Sequence, residues 1–87
     1  MVVSPDVVEK LTAAKTALSK HLDFLPGALN VLSSMVTSTI LTGTHQSEAG
    51  LSQIFATVPS EDVQAVHVAL EAVLEERKKI LAKPPAS

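Results

Sequence analysis

The stretch Ser60 to Lys83, SEDVQAVHVALEAVLEERKKILAK, constrains the fold more than any other. Pro59 fixes its own φ and biases Val58 away from the α region, so whatever precedes it must stop there. Ser60 is the expected N-cap. Glu61 and Asp62 fall in the first turn, where the helix dipole favours acid, and Arg77, Lys78, Lys79 and Lys83 gather at the opposite end, where it favours base. Pro84 and Pro85 forbid continuation. Val63, Val66, Leu70, Val73, Leu74, Ile80 and Leu81 recur at three- and four-residue spacings, which places them on one stripe of a helix. Ala65, Ala69 and Ala72 raise helix propensity, and Glu75 stands four residues before Lys79 for an exposed pair.

A helix with such a stripe needs apolar partners, and the rest of the chain supplies three. Ser4-Pro5-Asp6 is a helix start with cap, proline at N1 and acid in the first turn. Val7, Leu11, Ala14, Leu18, Leu22 and Leu25 then follow helical spacing, so a first helix is expected over about 5–22. Its solvated side would be Thr12, Lys15, Thr16, Ser19 and Lys20, with an Asp6–Lys10 pair. Pro26-Gly27 breaks the chain. Residues 28–42, ALNVLSSMVTSTILT, read as a second helix. The β-branched residues there favour a strand, but length and the lack of strict alternation favour the helix. Gly43 is its natural left-handed terminator. A short third helix is expected over about 47–56, with Leu51, Ile54 and Phe55 pointing inward. The fourth covers 60–83, and 84–87 form a frayed tail or linker.

These elements predict an all-α fold: a small antiparallel helical bundle of three long helices and a short one, forming a single domain over 1–87. No charge lies between Asp23 and Glu48. That makes the second helix the expected buried centre, its Ser and Thr hydroxyls bonding back to carbonyls in their own turn. The seam Val7, Leu11, Ala14, Leu18, His21, Leu25 and the seam Val63, Val66, Leu70, Val73, Arg77, Ile80 both alternate by threes and fours. Each spans only three heptads and is broken by a polar residue, so the expectation is packing of first helix on last rather than a free coiled coil.

Composition narrows the function classes. The net charge is −2 and the chain has no Trp or Tyr, so it offers neither a basic face nor a stacking platform for nucleic acid. There is no cysteine, hence no disulfide, thiolate site or cysteine nucleophile. The start, MVVSPDVVEK, lacks the basic beginning and long apolar run of a signal peptide, and the expected setting is intracellular, cytoplasmic or nuclear. The uncharged span Phe24–Thr44 reaches membrane-spanning length, but seven hydroxyl residues, Asn30 and an early Pro-Gly pair argue against insertion.

No catalytic motif is present: no G-x-S-x-G, no phosphate loop, no dinucleotide fingerprint. No two of His21, His45 and His67 stand three or four residues apart, so the spacing assembles no metal site and no cofactor is expected. Glu71, Glu75 and Glu76, and the run Glu75-Glu76-Arg77-Lys78-Lys79, read as solvated helix face. Apolar residues nevertheless make up 46% of a chain with mean hydropathy +0.30. A bundle this small has few interior positions, so part of that apolar surface should serve an interface. The leading expectation is a non-enzymatic module, acting in protein–protein interaction or oligomerisation through apolar helix faces. Its partner is a protein or a second copy of the chain. The candidate surface is Val63, Val66, Leu70, Val73, Leu74 and Arg77. The alternative is a carrier of a small apolar ligand or lipid, with a cavity between helices.

Overall fold

A computed structural model describes residues 4–23 and 25–82. It contains α1 (Pro5–Ser19), α2 (Ala28–Thr42), α3 (Glu48–Ile54) and α4 (Ser60–Ala82), with no strand among the described residues. This is the helical bundle that periodicity predicts, three long helices plus one short. Lys83 and the expected tail at 84–87 lie outside the described residues.

The ends of the helices follow local chemistry. Pro5 occupies the first turn of α1, behind an extended Ser4 that makes no side-chain cap bond. α1 stops at Ser19, earlier than expected, and the chain continues as turns in which the His21 N–H donates to Leu18 O at 3.0 Å and the Leu25 N–H to His21 O at 2.9 Å. α2 fills its expected span, and Gly43 closes it at φ 73° with its N–H donating to Thr39 O. The Ser47 hydroxyl caps α3 by accepting from the Gly50 N–H at 3.1 Å. α4 begins at Ser60 itself, one residue earlier than a Ser60 cap would place it. The Pro59 carbonyl accepts from the Asp62 and Val63 N–H groups.

α1 and α4 run antiparallel along their expected seams. Val7 packs with Ala72 and Val73 at one end, and His21, just past α1, reaches Asp62 at the other. Ala14, Leu18, Leu32, Leu51, Phe55, Val63, Val66 and Leu70 join between them in the main core. Each fully buried leucine there contributes roughly 2–3 kcal/mol of transfer free energy. Thr12, Lys15, Thr16, Ser19 and Lys20 form the solvated side of α1, as their spacing requires.

Two expectations are reversed. α2 is not the buried centre: it buries only Ala28, Leu32 and Thr39, and it exposes Val31, Ile40 and Leu41, the last at 74%. α4 is the centre. It buries Val63, Val66, Ala69, Leu70, Ala72 and Val73, and it lies beside all three other helices. Lack of charge does not make a helix central. The apolar residues of α2 are spread around its circumference with hydroxyls between them, whereas those of α4 are concentrated on one face that several neighbours can share. The hydroxyls of α2 do bond back as expected, Thr39 to Met35 O at 2.8 Å and Thr42 to Ser38 O at 2.7 Å. In α3, Leu51 and Phe55 turn inward but Ile54 is exposed, because a seven-residue helix presents a single narrow stripe to α4.

Candidate functional site

At the end where α1 begins, three helices leave an apolar groove of about 260 Å³. α1 contributes Val7 and Leu11, α2 contributes Val36 and Ile40, and α4 contributes Val73, Ile80 and Leu81, with Glu76 and Arg77 at the edge. Helix lengths explain its position. The 23 residues of α4 extend about 35 Å, against about 22 Å for the 15 residues each of α1 and α2. The short α3 packs through Leu51 and Phe55 on the first half of α4. Past Val73 the apolar stripe of α4 continues into Ile80 and Leu81, which are 41% and 64% exposed.

Arg77 explains the polar break in the seam of α4. Its Nε donates to Ile40 O at 2.8 Å. That carbonyl belongs to the last turn of α2, where intrahelical donors run out and the dipole favours positive charge. The guanidinium sits directly against Gly43, where an added Cβ would lie 2.6 Å from Nη1. One side chain therefore caps α2 from a neighbouring helix and forms the polar rim of the groove.

The residues expected to form an interaction surface divide accordingly. Val63, Val66 and Leu70 are fully buried against their own bundle and present no surface, which corrects that reading. Leu74 is half-buried. Val73 and Arg77 line the groove, and Ile80 and Leu81 complete it on the α4 side. The stripe assignment was right, but its free portion is the last two turns of the helix.

The acidic patch disperses. Glu75 pairs with Lys78 at 3.5 Å, rather than with Lys79, in an exposed contact. Glu76 faces the groove. Glu71 approaches His67, Oε1 to Nε2 at 3.4 Å. The Asp6–Lys10 pair forms as expected at 3.1 Å, also exposed. Such surface pairs contribute at most about 1 kcal/mol each.

The histidines separate into two settings. His21 Nε2 lies 2.6 Å from Asp62 Oδ2, part-buried, and joins the end of α1 to the start of α4. His45 and His67, distant in sequence, come together with ring centroids 5.4 Å apart and planes at 73°. With Glu71 they bring three ligand-type atoms within 4.8 Å of one another. Histidine spacing alone could not reveal this, because His45 reaches α4 only through the turn at Gly43. The available signal was the i,i+4 relation of His67 to Glu71, which puts an imidazole and a carboxylate on one helix face.

No protein-family model, no curated protein and no solved structure matches this chain. Among the described residues, no helix is long and apolar enough to cross a membrane.

Proposed function

We propose that the protein is a non-enzymatic interaction module that associates through the apolar end of its bundle, and that the occupant of the groove is a helix of a second copy of the chain. The observation that carries this reading is the union of the groove with the uncharged outer face of α2. Ile40, exposed on a helix that bears no charge, lines the groove together with the exposed Ile80 and Leu81 of α4, and Leu41 stands exposed elsewhere on the same helix beside Thr37 and Ser38. Depletion of charge around exposed aliphatic residues is the compositional mark of an interface core. Glu76 and Arg77 side by side on the rim give a surface that can oppose itself across a two-fold axis. The aliphatic lining at i, i+4 and i+7 steps suits a helix laid in the groove.

The groove favours a helix over a small apolar ligand. Its roughly 260 Å³ lies below the usual 300–1,000 Å³ of ligand pockets, and it opens to solvent. A non-enzymatic role accords with its polar groups, one carboxylate and one guanidinium whose Nε is already engaged by Ile40 O. A chain with no cysteine suits a reducing, intracellular compartment.

Sedimentation velocity over a wide concentration range tests the reading. The expected result is a dimer whose population grows with concentration and disappears in Leu81→Glu and Ile80→Glu, while the helical circular dichroism of both variants is kept. A chain that stays monomeric at the highest attainable concentration would overturn it.

A further inference from the structure

We propose that His45, His67 and Glu71 form a binding site for a divalent transition-metal ion, zinc by preference. The site lies between the linker that follows α2 and the middle of α4, apart from the apolar groove.

Four features converge. The first is the ligand set: two imidazoles and a carboxylate brought within 4.8 Å of one another. Two nitrogens and one oxygen suit zinc and its first-row neighbours, whereas magnesium and calcium require a shell of oxygens. The second is spacing. His67 Nε2 and Glu71 Oε1 are 3.4 Å apart. Two ligands about 2.1 Å from a tetrahedral zinc are separated by about 3.4 Å, so this pair already spans one edge of the coordination polyhedron.

The third is orientation of the remaining ligand. His45 Nδ1 lies 2.8 Å from the Gln46 carbonyl oxygen. A carbonyl can only accept, so Nδ1 is the donor, and in the neutral ring Nε2 is the nitrogen left to ligate. A backbone carbonyl holding the far nitrogen of an imidazole is the usual outer support of a metal-bound histidine. The fourth is access. Both rings are half-buried while the Glu71 carboxylate is 57% exposed, so an ion can enter from solvent and a water can complete the fourth position.

The site joins a connecting segment to the central helix. His45 belongs to the extended linker 44–47, and α4 is the helix that every other helix packs on. A bound ion would fasten that linker to α4. Because the unfolded chain does not hold the three ligands together, binding is linked to folding and raises the melting temperature.

The test uses the 87-residue chain, stripped with chelator and titrated with zinc chloride in a calorimeter. One ion should bind per chain, and thermal unfolding should move up by roughly 10 °C once free zinc is about a hundred times its Kd. His45→Ala and His67→Ala should each weaken binding by about tenfold or more, and His21→Gln, remote from the site, should leave it unchanged. Should His67→Ala fail to fold, Glu71→Gln on the exposed face replaces it, and cobalt(II) in the native chain should give the intense visible bands of a four-coordinate ion. Absence of saturable zinc binding by the native chain would overturn the proposal, as would binding that survives His45→Ala unchanged.

Discussion

Leu70 and Gly43 are the two positions where a single side chain decides most. Leu70 is fully buried at the meeting of α4 with the main core. Leu70→Ala should cost about 2–5 kcal/mol, read as a shift of the chemical-denaturation midpoint. Leu70→Glu places a charge where no partner stands and should abolish the folded circular-dichroism signal altogether. Folded Leu70→Glu with lost association would mean that the residue faces a partner and not its own bundle. Gly43 is constrained twice, by its positive φ and by the Arg77 guanidinium against its Cα hydrogens. Gly43→Ala should therefore cost more than the roughly 1 kcal/mol of a simple left-handed alanine, and a thermal melt would show it. Arg77→Ala should cost less, about 0.5–1 kcal/mol, since the Ile40 carbonyl is exposed and water can replace the lost donor.

Among the elements, those with chemical punctuation at both ends were legible in the sequence. α2 ends at Gly43 as its left-handed terminator requires, and α4 starts directly after Pro59. α1 lacks a stop signal before Pro26, and its last expected turn loosens into turns at Lys20–Asp23. Which helix would be central was not legible. The charge-free α2 suggested burial, but its apolar residues point in too many directions for one neighbour to cover them. The short α3 carries a removable weakness in Gly50. A Cβ there would meet Gln46 Oε1 at 2.7 Å, the movable tip of a surface side chain. Gly50→Ala should then stabilise the protein by about 0.5–1 kcal/mol through lower chain entropy and better helix propensity, measured as a higher melting temperature.

For the whole molecule, the sequence indicated that apolar surface would be left over, and the fold locates it. Candidate positions taken from the stripe of α4 were mostly interior, because a stripe on a helix does not say where its neighbours end. That depends on relative lengths: α1 begins near Val73 and α3 reaches only the first half of α4, leaving Ile80 and Leu81 uncovered. The pairing of His45 with His67 was equally out of reach, since it depends on the path of a linker with no periodicity. Substitutions at Ile80 or Leu81 should consequently change association while leaving the stability of the monomer close to native, and guanidinium titrations of variant and native protein at concentrations where both are monomeric separate the two effects.

Of the four helices, only α4 lies beside α3. The short helix sends Leu51 and the adjoining Phe55 into the main core, but α4 is the one helix its backbone runs beside, whereas α1 and α2 also lie beside each other. Native-state hydrogen exchange should find two classes of protected amide. Those of α3 should exchange through a local opening well below the global unfolding free energy, and those of α1 and α4 only when the whole bundle opens. A filled site at His45, His67 and Glu71 would slow the second class by raising the global unfolding free energy, and the first only so far as its local opening also breaks the site.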